Sequence, residues 1–391
     1  MLRFSGFDDE WVSYKIGDIS KTYSGGTPST SKREYYKGNI PFIKSGEIGN
    51  EVTEQYINEE AINNSSAKKV QKGDLLLALY GATSGEVAIS KIDGAINQAV
   101  LKIDNKMNNY FQYNYFVKYK DQIIHKYLQG GQGNLSANII KKLEFYYPNL
   151  EEQQKISNYL LLIDNKIELL EKKHHEYQNF KKYLMQQIFT QKLRFDFKDT
   201  WDKVLLKDVA FIPKKTKLTN VEGLKLLTVK LHTKGIEIND RIKPKLTKRG
   251  RPYYIRRSGE LLIGRQNFHN GGMGIVPKSL DGGICSNAIS SFNAFEDKID
   301  VNYLYYFLAR PEYYIKSERL IGGTGQKEFS EKELLKLKID LPSLEEQNKI
   351  VDFLLNIDHK IELSENQLNK TQEFKKGLLQ QMFDNMLLFK L

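Results

Sequence analysis

The chain has 391 residues, enough for two or three domains, and its 40% hydrophobic and 27% charged residues are typical of an ordinary globular protein. No apolar run approaches the ~20 residues that a membrane span needs, and residues 1–11 show no signal-peptide pattern. The single cysteine, Cys285, excludes an internal disulfide and a cysteine-based zinc site. These features predict a cytoplasmic protein that has no membrane partner.

The net charge of +11 is concentrated in one segment. Residues 200–270 hold 17 Lys and Arg against 6 Asp and Glu, a surplus equal to that of the whole chain. Residues 1–145 hold 18 basic and 16 acidic side chains. A local positive field attracts polyanions, so we expect a nucleic-acid partner; a solvated basic face is the alternative.

An internal repeat organises the chain. Residues 146–189 and 340–383 align without a gap and are identical at 24 of 44 positions. In each copy a proline, Pro148 or Pro342, precedes two glutamates, and a pair of lysines lies near the other end. Proline and acidic residues at the start and basic residues towards the end are typical of helices. Each copy therefore predicts a helix of about 39 residues, far above the globular mean of about 11–12.

Apolar residues in both predicted helices follow alternating steps of three and four, the period of a coiled coil. We expect the two helices to pair antiparallel within one chain. Pairing with a second molecule, or packing of each helix on its own domain, are the alternatives. The predicted seam consists of Ile156, Leu160, Ile163, Ile167, Leu184, Ile188, Ile350, Leu354, Ile357, Ile361, Leu378 and Met382.

Weaker correspondences extend the repeat into the segments between the helices. Residues 73–76 match 259–262, a turn entering a buried strand, and residues 94–99 match 283–288. The fold class is therefore α+β, with two globular domains of mixed strands and helices, two long helices and a pseudo-two-fold internal repeat. Further helices are expected at 109–128 and 302–317. The predicted divisions of the chain are 1–145, 146–195, 196–339 and 340–391.

Motifs of catalysis are not found in the sequence. The six histidines form no metal-ligand spacing, so we predict neither a catalytic nor a metal site. The loop 322–327 superficially looks like a phosphate-binding loop but lacks its spacing. The composition of the loops instead favours a binding protein.

Several loops combine hydroxyls, amides and cations, which suit phosphates and base edges. Arg265, Gln266 and Asn267 follow a repeated buried strand and offer bidentate contacts to guanine or adenine. The lysines and other arginines of the basic segment look like phosphate contacts. The residues expected to contact DNA are Thr27, Ser29, Lys32, Arg33, Lys44, Tyr80, Thr83, Ser84, Asn97, Gln98, Gln132, Asn134, Lys214, Lys230, Lys245, Arg249, Arg251, Arg256, Arg265, Gln266, Asn267, His269, Asn287, Thr324, Gln326 and Lys327.

The whole chain resembles the specificity subunit of type I restriction-modification enzymes. The resemblance rests on two Pro-x-Leu-Glu-Glu-Gln-x-Lys-Ile segments, 148–156 and 342–350, and on the glycine-rich loops 25–28 and 322–325. In the second domain, residues 211–215 stand where Gly-Gly-Thr-Pro is expected. Such divergence fits domains that recognise different DNA sequences.

The resemblance implies a subunit without catalytic activity, in which 1–145 and 196–339 are target-recognition domains and 146–195 and 340–391 are helical spacers. The implied partners are double-stranded DNA, two methyltransferase subunits and motor-nuclease subunits. S-adenosylmethionine, ATP and Mg would then belong to those partner subunits, and this chain would carry no cofactor. A stand-alone DNA methyltransferase or nuclease, or a coiled-coil scaffold, are the alternative functions.

Overall fold

The computed structural model describes residues 2–128, 134–247, 250–317, 328–384 and 386–388. Its helices are α1 Ile16–Ile19, α2 Glu59–Asn63, α3 Asn109–Leu128, α4 Ala137–Lys142, α5 Leu150–Phe189, α6 Leu206–Val209, α7 Val301–Leu308, α8 Pro311–Ser317, α9 Glu331–Leu334 and α10 Leu344–Met382. Its strands are β1 Val12–Lys15, β2 Ser20–Ser24, β3 Ile40–Ile43, β4 Tyr56–Ile57, β5 Lys68–Val70, β6 Leu75–Ala78, β7 Val87–Ile89, β8 Gly94–Ile96, β9 Val100–Asn105, β10 Glu144–Tyr147, β11 Asp202–Leu205, β12 Ala210–Phe211, β13 Leu227–Val229, β14 Ile236–Ile238, β15 Tyr253–Ile255, β16 Leu261–Gly264, β17 Met273–Ile275, β18 Ile284–Ser286, β19 Ile289–Ala294, β20 Lys338–Leu341 and β21 Leu387–Leu388.

The helix expected at 109–128 is confirmed by α3. The single helix expected at 302–317 is wrong, because the structure divides it into α7 and α8. Pro311 begins α8, where its missing N–H is not needed, whereas inside a continuous helix it would remove a hydrogen bond and clash with the preceding turn. The apolar residues keep a helical period across this break, so the period alone predicts one helix, and only Pro311 indicates the break.

The chain forms two compact units. Unit 1 comprises Met1–Glu171 and Asn366–Leu391, and unit 2 comprises Lys172–Glu365. Each of the long helices α5 and α10 therefore contributes one part to each unit. The four-part division expected from the sequence stays a prediction.

The sheets of the two units repeat one another. Unit 1 contains a sheet in the order β2-β9-β6-β7, and unit 2 contains β12-β19-β16-β17 in the same order, all antiparallel. The strand before each long helix pairs with the first strand of its unit, as β1 with β10 and β11 with β20. In unit 1, β8 lies between β3 and β5, and in unit 2 β18 pairs with β15. The weak repeat seen in the sequence is thus a repeat of topology.

The Leu-Glu-Glu-Gln motif at the start of α5 is explained by its buried contacts. Arg3 Nε and Nη2 donate to the two carboxylate oxygens of Glu152 at 2.9 and 2.7 Å, and Trp11 Nε1 donates to Oε2 at 3.2 Å. Glu152 is fully buried, so these three donors replace the water that a carboxylate needs. The following Gln153 donates to Pro148 O at 2.8 Å.

Unit 2 reproduces this arrangement with the same residue types at its own positions. Arg194 Nε and Nη2 donate to Glu346 at 3.0 and 2.8 Å, and Trp201 Nε1 donates at 3.1 Å. Gln347 donates to Pro342 O at 2.9 Å. The repeated motif therefore attaches the start of each long helix to its unit. We call the two clusters, Arg3-Glu152-Trp11 and Arg194-Glu346-Trp201, the Arg-Glu-Trp anchors.

Within each unit, segments of α5 and α10 contact each other. In unit 1, Lys375 Nζ lies 2.6 Å from Asp164 Oδ1, and Gln372 donates to Glu171 at 3.2 Å. Partner numbers fall along α10 as they rise along α5, so the two segments are antiparallel. Tyr110 of α3 also donates to Asp164.

Unit 2 contains the equivalent contacts. Lys181 pairs with Asp358, which also accepts from Tyr306 OH at 2.6 Å. His174 Nδ1 and Ser364 Oγ lie 2.9 Å apart. The polar residue His174 of α5 is thus matched by a buried serine of α10.

Most residues of the predicted seam are buried in the hydrophobic cores of the two units. Ile156, Leu160, Ile163, Leu378 and Met382 belong to one core together with Phe111, Tyr115 and Phe145. Leu184, Ile188, Ile350, Leu354 and Ile357 belong to the other with Trp201, Tyr303 and Phe307. Ile167 and Ile361 are partly buried at the edges of these cores.

Candidate nucleic-acid interface

In unit 1, loops far apart in sequence meet at one end of the β2-β9-β6-β7 sheet. At the end of β6, Leu79 N donates to Ala99 O at 2.8 Å, and Leu79 O accepts from Leu135 N at 2.8 Å. Gly26 N donates to Ile96 O at 3.3 Å. These bonds bring together the predicted residues Thr27, Tyr80, Asn97, Gln98 and Asn134.

Gly25 and Gly26 have no room for a side chain. A Cβ on Gly25 would lie 1.9 Å from Ile96 O, and one on Gly26 would lie 2.6 Å from Ser66 Cβ. The two glycines let the loop approach the neighbouring turn so closely that Thr27 Oγ1 donates to Gln98 Oε1. The close packing of this loop thus requires the glycine pair. The exposed side chains of Thr27 and Gln98 form the polar surface where the loop and the neighbouring turn meet.

The predicted cations of unit 1 are accessible and already have some internal partners. Lys32 Nζ donates to Tyr35 OH at 2.8 Å, which raises the pKa of Lys32. Lys44 Nζ lies 3.3 Å from Glu54, and Arg33 is exposed.

Two of the predicted hydroxyl groups of unit 1 bond within their own loops. Ser84 Oγ donates to Leu79 O at 2.9 Å, and Ser29 Oγ lies 2.8 Å from Ser31 Oγ. Thr83 lies half-buried in the same turn as Ser84. The loop hydroxyls therefore stabilise the loops in addition to any contact with a ligand.

In unit 2, Arg265 occupies the position that Leu79 has in unit 1. Its N–H donates to Ala288 O at 3.1 Å and its carbonyl accepts from Phe329 N at 3.0 Å, which repeats the bonds of Leu79. By the same correspondence Gln266 replaces Tyr80. The fold thus presents different side chains at equivalent places in the two units.

A carboxylate holds these two side chains. Glu328 Oε1 lies 2.7 Å from Arg265 Nη2, and Glu328 Oε2 accepts from Gln266 Nε2 at 3.3 Å. Neighbouring Asn267 and Asn287 are exposed, and His269 Nε2 lies 3.1 Å from Asn270 Nδ2. The sequence did not single out Glu328, because nothing in its local pattern shows that it lies beside Arg265.

The predicted phosphate contacts of unit 2 differ in exposure. Lys214, Lys245 and Arg251 are exposed, and Lys230 pairs with Glu237 at 2.8 Å on the surface. Arg256 is only 3% exposed and donates through Nη2 to Ile289 O at 2.7 Å, which corrects the expectation of a surface phosphate contact. It directly follows strand β15, and its backbone N–H donates to Gly283 O at 2.7 Å, which holds it beside β18. Five predicted residues lie outside the described residues, namely Gln132, Arg249, Thr324, Gln326 and Lys327.

A buried polar network below Arg265 was also missed by the sequence reasoning. Glu260 Oε2 accepts from Lys215 Nζ and, at 2.6 Å, from Ser291 Oγ. Burial lowers the pKa of Lys215, and its bond to Glu260 opposes that shift. The available signal was a glutamate immediately before a strand of buried residues.

Metal and membrane sites are not found in the part of the chain that the structure describes. No group of three or more His, Cys, Asp or Glu side chains there is placed to bind a metal ion. None of its helices combines the length and apolar character needed to cross a membrane.

A family model for the type I restriction modification DNA specificity domain matches the chain twice, at residues 8–178 and 198–373. The chain belongs to this family. The two matches together cover most of the chain, and each includes the glutamate and the tryptophan of one Arg-Glu-Trp anchor, while Arg3 and Arg194 lie just before the matched residues.

Relatives of this specificity family resemble the chain along different parts of its length. The chain is 24% identical over 398 residues to the specificity subunit of the type I restriction enzyme MjaVIII of Methanocaldococcus jannaschii, covering 95% of this chain and 91% of the relative. It is 27% identical over 201 residues to the EcoR124I/EcoR124II specificity subunit of Escherichia coli, covering 46% of this chain and 49% of the relative.

Solved structures show the same fold. The S subunit of a type I restriction-modification system from M. genitalium aligns with a TM-score of 0.65, 14% identity and 99% of each chain. A chain from a structure of a type I R-M system, described in terms of complex assembly and conformational transition, aligns with a TM-score of 0.55, 16% identity, and 98% and 100% of the two chains.

Proposed function

We propose that this chain is the DNA-specificity subunit of a type I restriction-modification complex and that each unit reads one half of a bipartite DNA site. The observation that carries this proposal is the repetition of one sheet order with different side chains at equivalent loops, as in Leu79 and Arg265. Sequence is read by hydrogen bonds to base edges, so equivalent loops with different donors and acceptors suit two different half-sites. The concentrated positive charge of residues 200–270 supplies attraction to phosphates.

The long helices set the separation of the half-sites in this proposal. Helix α5 has 40 residues and α10 has 39. At ~1.5 Å per residue each is ~60 Å long, which exceeds one turn of duplex DNA, about 34–36 Å. The ion pairs Lys375–Asp164 and Lys181–Asp358 support an antiparallel coiled coil between them. The bases between the half-sites then go unread.

The exposed apolar residues on the long helices are the proposed docking patches for two methyltransferase subunits. In unit 1 the patch consists of Leu161, Leu169 and Phe374, which are 41%, 67% and 52% exposed. Unit 2 has the same residue types at the repeat-equivalent positions Leu355, Leu363 and Phe180, which are 45%, 48% and 50% exposed. Exposed apolar side chains on a helix are candidates for a protein interface, and equivalent positions in the two units suit two copies of one partner.

The chain's own part in the reaction is recognition, in this proposal. Residues 1–145 and 196–339 are the recognition domains, and adenine methylation and ATP-dependent cleavage belong to the methyltransferase and motor-nuclease subunits. S-adenosylmethionine, ATP and Mg are then bound by those partners.

Methylation mapping by single-molecule sequencing tests this function in a host that carries the chain with its full system. We expect methylated adenines in two half-sites separated by a fixed number of unread bases. A map with one continuous site, or methyltransferase activity of the purified chain alone, would contradict the proposal. A chain that binds no DNA in a salt-sensitive manner would instead be a scaffold.

A further inference from the structure

Two buried apolar positions of unit 1 hold arginines in unit 2. Leu79 is 4% exposed, and the equivalent residue with the same backbone partners is Arg265. Val70 pairs with Gly94 and is 2% exposed, whereas Arg256 N donates to Gly283 O at 2.7 Å and its side chain is 3% exposed. Unit 2 thus places two guanidinium groups where unit 1 has ordinary core side chains.

Both arginines line one cleft of about 320 Å³ that opens at the loop end of the sheet in unit 2. Ile212 and Pro213 form an apolar wall of this cleft, and the exposed Asn287 also lines it. The cleft lies among the loops that correspond to the meeting loops of unit 1. It is large enough for the edge of a base and has both apolar and hydrogen-bonding walls.

Each of the two guanidinium groups has an N–H donor that makes no hydrogen bond within the described residues. Nε of Arg256 and Nε of Arg265 are buried without a hydrogen-bond partner among the described residues. Arg256 has its bond to Ile289 O, and within the described chain no carboxylate lies within 4.0 Å of it. A buried charge with unfilled donors is costly, which a ligand that brings hydrogen-bond acceptors would offset.

Glu328 gives Arg265 a fixed orientation. Its carboxylate lies 2.7 Å from Nη2 of Arg265 and also accepts from Gln266. One side of the guanidinium is held, and the side chain of Arg265 is 23% exposed for contact. A fork held in one orientation fits two adjacent acceptors, such as those on a base edge, whereas neutralising a phosphate needs no fixed orientation because a mobile lysine suffices.

We propose that the cleft of unit 2 reads a guanine, with Arg265 donating to O6 and N7 in the major groove, Arg256 supplying charge behind it and Glu328 acting as the positioning residue. Guanine presents two adjacent acceptors there, whereas adenine presents one acceptor and one donor that would face the guanidinium. Unit 1 has Leu79 and Val70 at these positions, so its half-site is read by other side chains. This inference rests on the proposed function, because it requires that unit 2 contact DNA.

The test measures binding of the purified complex to its mapped site by fluorescence anisotropy. Each guanine of the half-site read by unit 2 is replaced in turn by 7-deazaguanine, which lacks the N7 acceptor. At one guanine we expect the wild-type complex to lose about tenfold in affinity, and the Arg265→Ala complex to show no further loss. Arg265→Lys keeps the charge and is expected to lose the same discrimination, and Glu328→Gln is expected to lose part of it.

Arg257→Ala is the matched control, since Arg257 is a neighbouring cation whose side chain is 62% exposed. It should keep the full sensitivity to 7-deazaguanine. Equal sensitivity in the wild type and Arg265→Ala, no sensitive guanine in that half-site, or a uniform loss of affinity for all DNA in Arg265→Lys would overturn the guanine assignment while the bipartite site still stands. A wild-type map without two half-sites would instead remove the proposed function and this inference with it.

Discussion

Glu152 and Glu346 are the residues on which the attachment of the long helices depends most directly. Each is buried, and each accepts from an arginine fork and a tryptophan N–H. Removal of one partner of a buried ion pair leaves the other charge without compensation, which costs more than the pair contributed.

Glu152→Gln is therefore expected to lower the free energy of unfolding of unit 1 by about 2–4 kcal/mol, because Arg3 loses its carboxylate. Urea denaturation followed by tryptophan fluorescence measures the change, since Trp11 lies in the same anchor. The control is Glu151→Gln on the same turn, where the exposed side chain contributes at most about 1 kcal/mol through the helix dipole. Equal effects of the two substitutions would show that the anchor is not a source of stability.

Cys285 provides a probe of unit 2. It is fully buried, and burial raises the pKa of its thiol to about 11. At pH 8 the thiol is therefore protonated and shielded, and we expect no reaction of the native protein with Ellman's reagent but one equivalent after denaturation. Because the chain has a single cysteine, the rate reports opening of unit 2 alone. Fast labelling of the native protein would contradict the burial of β18.

At the scale of elements, the proposed function places the partner subunits on the six exposed residues of the proposed docking patches. Leu169→Glu in unit 1 and Leu363→Glu in unit 2 place a charge in each patch, and both side chains are already exposed, so stability should change by less than about 0.5 kcal/mol. We expect each single substitution to reduce the methyltransferase subunits that copurify from two to one, and the double substitution to remove both. Mass photometry of the purified complexes measures the ratio.

Ile242→Glu is the control for this experiment, because Ile242 is 57% exposed and lines a groove formed by residues 220–246, which include no part of the long helices. It should retain both partner subunits. Full complexes with the double variant would show that the methyltransferase subunits attach elsewhere.

The elements themselves differ in how far the sequence predicts them. The period of the repeat and the proline and glutamate signals predict α5 and α10, since these signals are local. The break between α7 and α8 also has a local signal in Pro311. The partners of Glu152 and Asp164 have no local signal in the sequence, because Arg3 is 149 residues from Glu152 and Lys375 is 211 residues from Asp164 along the chain. Only the folded chain brings these charges together.

The same limit applies to the candidate site. Gly-Gly at 25–26 and the residues after the buried strands lie in loops that meet, as the bonds of Gly26, Leu79 and Arg265 show, and their contact with DNA stays a prediction. The sequence did not separate the buried Arg256 from its exposed neighbour Arg257, because strand alternation is easily shifted by one residue. Glu328, which holds Arg265, became visible only when the loops were placed.

At the scale of the whole molecule, the proposed function makes the spacing of the half-sites depend on the length of the two long helices. Removing residues 167–173 from α5 and 366–372 from α10 deletes one heptad from each and keeps the His174–Ser364 and Lys181–Asp358 contacts. Seven residues correspond to ~10 Å of helix, about three base pairs of duplex.

We therefore expect methylation mapping of this double deletion to show the same two half-sites with the unread spacer shortened by about three base pairs, because neither set of reading loops is altered. Deletion from α5 alone mismatches the antiparallel segments and should abolish methylation without creating a new spacing. The matched substitution of residues 167–173 by a heptad with the same apolar positions should leave the spacer unchanged. An unaltered spacer in the double deletion would mean that the separation of the half-sites is set by the partner subunits and not by these helices.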